Sequence, residues 1–405
     1  MPNRSTQLRK RGLPLLIVFA FTLSLIVSTV ATAPANAAPR PGGVINTWSP
    51  PASRSIYNVP KGIGMPSAQV TIYMDELIRA FGATPKGETI YLSTFLTSYK
   101  PVIRSLIAAH KRGVNVQFIT WNKDYRENKK SVDSLKKVLG DKIKAPSFLK
   151  ICKKSCLSNS GTQHAKLVLI SRFINDKGKT KQYAIFVASG NISTENVVNS
   201  WNHAQLIVGR KKLYNGFKSY FDLMKLDRTR KNIKPVTDGA YTAYFYPVST
   251  QFNPFFSALE HTSCKAKKGH GLNGRTVVRV IMYLWRKNTS YDIVKRLTEL
   301  EKQGCDVGVI VSQYPTDAKI VKALVRGHVA VYNARAKGRF VHAKMGFISG
   351  TVNGKSVEMV VTGSLNFTRS SMVDCTDIAL RMYGKTWVTQ ASSFFDDIAS
   401  HSRKV

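Results

Sequence analysis

The sequence predicts an α/β protein made of two similar halves. Three observations carry this. Apolar stretches with strand-like alternation take turns with stretches of helical periodicity, the rhythm of a layered α/β domain. The rhythm returns in the second half, where 274–284 matches 87–96 and 304–312 matches 113–121. One set of polar residues also occurs once per half, each time at the ends of strand-like runs.

Taken in order, the chain opens with Arg4, Arg9, Lys10 and Arg11, then an apolar run over 13–30, then Ala35-Asn36-Ala37. A positive start, an apolar middle and a small-x-small site form a secretion signal, so residues 1–37 are expected to be cleaved near Ala37 and the rest exported. Residues 38–60 are rich in Pro, Gly, Ser and Arg and read as a mobile lead-in. The first repeat is set at 61–235. Its spacing predicts a helix over 70–81, a turn at 84–87, a strand over 89–95, a helix over 102–109 that stops at Arg112-Gly113, and a strand over 114–121. Residues 122–155 hold 11 basic and 4 acidic side chains, a solvated helix and loop or a basic wall beside a site. Strands are expected over 167–170, 183–188 and from 202, and an amphipathic core helix over 213–224. Basic residues 228–235 read as the linker to the second repeat, 236–405. There 291–303 is a helix, 357–361 and 377–382 are strands, and 392–399 answers the region of Tyr220.

The recurring set is His164-Ala165-Lys166 with Ser189-Gly190-Asn191, and His342-Ala343-Lys344 with Ser364-Leu365-Asn366. The separation from His to Asn is 27 residues in the first copy and 24 in the second. A His and a Lys two apart on a strand point to one face. A neighbouring strand then adds a hydroxyl and a carboxamide. Imidazole, ammonium, hydroxyl and carboxamide together form a set for holding a phosphate and attacking its phosphorus.

This pattern resembles the phospholipase D superfamily, whose motif is H-x-K-x4-D followed by G-S-x-N. The resemblance covers most of the chain after the leader. It implies two fused α/β/α sandwich repeats related by a pseudo-twofold axis, with one shared active site. Where the family has Asp, this chain has Ser171 and Ser349; the family tolerates that loss, and the Asp is thought to be structural. The implied activity is hydrolysis of a phosphodiester. One His attacks phosphorus to give a phosphohistidine, and the other protonates the leaving alcohol and then activates water. Lys166, Lys344, Asn191 and Asn366 cradle the oxygens, with Ser189 and Ser364 as further substrate contacts. Two lysines supply the charge that other phosphodiesterases take from metals, so neither metal nor cofactor is expected.

Eleven residues beyond Asn366 stands Asp377; eleven beyond Asn191 stands Asn202. The family is expected to place an acidic residue here to orient a catalytic His. Paired within its own copy, Asp377 would raise the pKa of His342 and make it the general acid. His164, facing neutral Asn202, would be the nucleophile, and the N-terminal His is the usual nucleophile in two-copy bacterial members. The other histidines read as structural. Trp121 and Trp285, at strand ends, are core residues or the rim of the pocket mouth.

Net charge is +38, and removing the four basic residues of the leader leaves +34. That excess calls for an anionic partner: a phospholipid or other anionic phosphodiester, a membrane surface, or nucleic acid. A phospholipase D is the first reading, a metal-independent nuclease of the same superfamily the second, and a binding protein that has lost catalysis the third. A monomer is expected. A hydrophobic content of 43% fits a folded chain with sizeable cores. In an exported chain Cys152–Cys156 and Cys264–Cys305 are expected as disulfides, leaving Cys375 free.

Overall fold

The computed structural model describes residues 46–405 apart from Met65, Gln313, Tyr314 and Lys337. The secretion signal expected over 1–37 lies outside the described residues.

Two mixed sheets form the frame. In the first, Thr89–Ser93 lies parallel to Asn115–Trp121 and antiparallel to Leu167–Ile174, which continues through Thr180–Ala188 to Ser200–Val208. In the second, Val277–Met282 lies parallel to Asp306–Val311 and antiparallel to Lys344–Val352, which continues through Lys355–Gly363 to Asp377–Tyr383. The connectivity is the same strand for strand, so the duplication read from the sequence is a duplication of fold. The expected α/β class and paired repeats hold. Residues 167–170 and 345–348 are buried throughout, as apolar strands covered on both faces must be.

Helices cover both faces of each sheet. Helix Ser67–Gly82 buries Val70, Tyr73, Met74, Leu77, Ala80 and Phe81, a 3–4 spacing that lays one stripe on the first sheet. With Lys100–Lys111 and Lys129–Leu139 it closes the outer core of the first repeat. Helices Pro254–Glu260, Lys287–Lys302 and Ala318–Arg326 do the same for the second. Between the sheets run Lys211–Lys225 and Lys385–Ser400. Their buried residues, among them Phe217, Phe221, Phe394 and Ile398, share one core with the inner faces of both sheets.

The structure corrects the sequence reading in three places. Within the segment expected to be a mobile lead-in, Ser53–Asn58 is a strand paired antiparallel with Ser200–Val208, and Trp48 is buried against Phe173 and Phe186. Its counterpart is Tyr241–Tyr246, which pairs with Asp377–Tyr383. The basic stretch 122–155 ends in an edge strand, Phe148–Cys152, that was not anticipated. And the repeats exchange a strand, because Arg339–Val341 of the second half pairs parallel with Ser200–Val208 of the first. Both expected disulfides are present, and Cys375 is free and buried.

The middle layer reaches the strand start that carries Asp377 through one hydroxyl. Tyr220 is fully buried, and its Oη donates to the carbonyl oxygens of Tyr246 at 2.6 Å and Asp377 at 3.0 Å. Tyr220→Phe removes a donor from two buried carbonyls and is expected to destabilise the protein by about 1–3 kcal/mol. Urea denaturation should show a lower midpoint with an unchanged slope.

Candidate active site

Both His-x-Lys motifs sit where the chain enters a central strand, at the same end of both sheets. Lys166 immediately precedes Leu167–Ile174, and Lys344 begins Lys344–Val352. Ser189 and Asn191 follow the end of Thr180–Ala188, Ser364 and Asn366 the end of Lys355–Gly363. The backbone then ties each histidine to the opposite repeat. His164 N–H donates to Thr376 O at 2.9 Å, and His342 N–H to Trp201 O at 2.9 Å. Thr376 and Trp201 precede Asp377 and Asn202.

That cross-tie sets the side-chain partners. His164 Nδ1 lies 3.0 and 3.2 Å from the two carboxylate oxygens of Asp377. His342 Nδ1 lies 3.1 Å from Asn202 Oδ1. The expected pairing is therefore reversed: Asp377 serves His164, and Asn202 serves His342. The pseudo-twofold axis runs between the motifs, so the strand that closes one repeat faces the histidine of the other. The argument that Asp377 makes His342 the acid falls with it.

Asp377 can only accept, so His164 carries hydrogen on Nδ1 and leaves Nε2 unprotonated when neutral. Asn202 Nδ2 donates to Asn196 O and Ser200 Oγ, so its Oδ1 faces His342 as an acceptor. His342 Nδ1 lies 3.1 Å from both Asn202 Oδ1 and Lys344 Nζ, so it carries hydrogen toward Asn202 when Lys344 is neutral. Burial and the Lys166 charge push His164 down to about 4, against the opposing pull of Asp377. Burial and the charges of Lys344 and Lys166 hold His342 well below the usual histidine range.

Each lysine is 2% exposed and tethered locally. Lys166 Nζ donates to His164 O at 2.7 Å, and Lys344 Nζ to His342 O at 2.5 Å. Neither has an ion pair among the described residues. Burial pushes Lys166 down to about 7, and burial with Lys166 nearby holds Lys344 well below the lysine range. Asn191 and Asn366 are nearly buried, and the Oδ1 of each has no partner. All seven residues expected to be catalytic lie at this end of the fold, with two lysine amines near one carboxylate. Among the described residues no cluster of His, Cys, Asp or Glu suits a metal ion.

The serines differ from expectation. Ser189 Oγ donates to Asn202 Oδ1 at 3.1 Å and accepts from His203 N–H; Ser364 Oγ donates to Asp377 Oδ1 and accepts from Ile378 N–H. Both are fully buried. Their hydroxyl hydrogens are committed to the partners of the histidines, so they position those partners and do not face a substrate.

Sequence reasoning missed two rings. Phe95 lies 5.2 Å from the His164 ring and 5.2 Å from Lys166 Nζ; Tyr283 lies 4.5 Å from His342 and 4.8 Å from Lys344 Nζ. Setting 87–96 against 274–284 by their closing leucines, Leu96 and Leu284, places Phe95 opposite Tyr283, a signal that the unequal lengths of the two stretches obscured. Of the two tryptophans, Trp121 is half-buried and stacks on Phe95, at the rim of the site. Trp285 is fully buried against Phe367 and belongs to the core. His203, read as structural, is buried and bonded to Thr362 and Lys344 O.

A family model described as cardiolipin synthase, PLD-like domain, matches residues 77–225 and 272–399. No protein of curated function matches the chain. Among solved structures, phosphatidylserine synthase from Haemophilus influenzae is similar at 11% identity and a TM-score of 0.53, over 84% of this chain and 86% of that one. Polyphosphate kinase from Porphyromonas gingivalis is similar at 13% identity and a TM-score of 0.48, over 85% of this chain; the chain spans 49% of that kinase's length. A phospholipase D family member, Nuc from Salmonella typhimurium, is similar at 18% identity and a TM-score of 0.32, over 42% of this chain and 99% of that one. At these identities the likeness is one of fold.

The crossed pairing has a direct test. Asp377 favours the charged form of His164, so Asp377→Asn should leave His164 neutral to a pH about one unit lower. Titration of the imidazole resonances by NMR should show this shift for His164 and little change for His342. A shift confined to His342 would mean that the pairing stays within each repeat.

Proposed function

The chain belongs to the phospholipase D superfamily, whose members act on phosphodiesters, and we propose that it is an exported hydrolase of phospholipid head-group esters working through a phosphohistidine on His164. The observation that carries the proposal is the asymmetric pair of imidazoles, one on a carboxylate and one on an amide, beside two buried lysines.

The steps follow from the charges. A phosphodiester anion enters a cleft where two lysines and two imidazoles share one carboxylate. Its charge favours protonation of the groups around it: both lysines bind as ammonium and His342 takes a proton on Nε2, while His164, with hydrogen only on Nδ1, keeps the Nε2 lone pair free. Nε2 of His164 attacks phosphorus, and the bond to the alcohol oxygen breaks. His342 gives its Nε2 proton to the leaving alkoxide. The phosphohistidine carries a cationic ring, and Asp377, holding Nδ1–H, stabilises it. Water then loses a proton to His342 and attacks phosphorus. The phosphorus–nitrogen bond breaks, the phosphomonoester leaves, and His164 is restored. Lys166, Lys344, Asn191 and Asn366 stabilise the equatorial oxygens in both steps. Asp377 thus supports His164 as the nucleophile by steadying the intermediate, a different reason from the one the sequence offered.

Phospholipid is the preferred substrate because the matching family model describes a phospholipid-forming enzyme, and the leader and two disulfides suit a protein acting outside the cell. The second reading is a nuclease, favoured by the net charge of +34 after the leader.

Incubation with phosphatidylcholine vesicles and, separately, plasmid DNA, both in EDTA, should release choline and leave the plasmid intact. Nicked plasmid without choline would select the nuclease. Activity that vanishes in EDTA and returns with a divalent ion would remove the metal-free scheme.

Quenching turnover of phosphorus-labelled substrate should trap the label on His164; label on His342 would reverse the two roles. Lys166→Ala and Lys344→Ala should each lower kcat roughly 10²–10³-fold with the fold retained, because each removes charge from the developing oxyanion.

A further inference from the structure

A second anion site lies on the outer face of the second sheet. Strand Asp377–Tyr383 begins at the catalytic carboxylate and carries Arg381 four residues on, about 13 Å along the same face. Arg381 is half-buried, lies over the rings of Tyr244 at 5.5 Å and Tyr383 at 5.3 Å, and has no ion pair among the described residues. Its Nε is buried without a partner. None of its guanidinium nitrogens has a hydrogen-bond or ion-pair partner among the described residues, so the chain supplies no acceptor for the fork.

The space before it has the shape of a head-group site. A cleft of about 110 Å³ is walled by Arg381, His261, Tyr383, Phe252, Val357 and Met359, and no residue lining it is acidic. The cleft is small, of a size for a head group and not for a whole lipid. Phe252 and Tyr383 are each 40% exposed, and both stand at this cleft. Arginine fixed between rings presents a planar fork matched to phosphate or carboxylate. The exposed rings beside it offer an apolar surface for a chain leaving the cleft.

We propose that this cleft binds an amphiphile with a single oxyanion head, the oxyanion on Arg381 and the alkyl chain along Phe252 and Tyr383. Alkyl phosphates and alkyl carboxylates share this chemistry. The site does not depend on the reading of the catalytic cleft, since none of its residues takes part there.

Isothermal titration of the protein with octyl phosphate should show two binding events, one in the catalytic cleft and one at Arg381. Lys344→Ala should lose the first and keep the second. Arg381→Gln should weaken the second at least tenfold and leave turnover of a short soluble phosphodiester within twofold of normal. Arg381→Lys, which keeps the charge without the fork, should also weaken it. Octanoate should compete for the second event, octyltrimethylammonium should not, and inorganic phosphate should bind only between the catalytic lysines. The absence, in the unaltered protein, of any binding event that Arg381→Gln weakens would overturn the proposal; a single event that Lys344→Ala leaves and Arg381→Gln removes would uphold it.

Discussion

Neither repeat supplies the hydrogen-bond partner of its own motif histidine. The partner of each imidazole is delivered by the last strand of the other repeat, through the backbone bonds from His164 to Thr376 and from His342 to Trp201. Much of the architecture serves that exchange. The two middle helices pack against both sheets at once, which fixes the distance between the repeats. Tyr220 on the first of them hydrogen-bonds the carbonyl of Asp377 itself. The loop closed by Cys152–Cys156 lies against the same place, where Thr376 Oγ1 donates to Ser155 O and Thr376 N–H donates to Thr162 O at 3.0 Å. A covalent staple thus steadies the loop that meets the start of the acidic strand.

The exchange also makes two equivalent sites unequal. Serine, partner and strand are arranged alike around Asp377 and Asn202, and only the carboxylate differs. One negative charge serves two lysines and two imidazoles, all largely withdrawn from water. Burying so many cationic groups with one carboxylate is unfavourable, and the protein meets the cost by lowering their proton affinity. The empty cleft is therefore poised for an anion. A bound phosphodiester supplies the missing charge and the acceptors that Lys166 and Lys344 otherwise find only in local carbonyls.

Much of this was legible in the chain, and the exceptions share a cause. The motifs were readable because each is local: His and Lys lie two apart, and apolar runs mark the strands that carry them. The pairing of Asp377 was misread because counting along a chain favours partners within a repeat, whereas an axis between repeats exchanges them. Strand Ser53–Asn58 escaped notice because its partner lies about 150 residues away, and a Pro- and Ser-rich segment has no pattern of its own to betray a strand. Ser189 and Ser364 looked like substrate contacts for want of the acceptors thirteen residues further on. Trp285 and Tyr283 are two residues apart and so share a strand-like parity. Yet the chain bends after Met282, sending the tryptophan into the core and leaving the tyrosine at the site.

The two serines at the substituted motif positions hold strands together in this chain. Ser171 and Ser349 stand about 17 Å along their strands from the lysines, too far to touch a substrate held there. Each accepts a backbone N–H, from Thr89 and Gly271, and donates to a glutamate, Glu88 and Glu358, at 2.7 Å. The glutamates come from different neighbours: Glu88 immediately precedes strand Thr89–Ser93, and Glu358 lies within the hairpin strand Lys355–Gly363. Their further partners differ too, Arg172 Nη1 at 3.3 Å for the one and His270 Nδ1 at 2.8 Å for the other. Two repeats that keep the same catalytic set thus place a carboxylate at the same spot by unlike routes. What is retained is a negative charge bridging strands at the pole opposite the active site, which is a task of holding the sheet and not of chemistry.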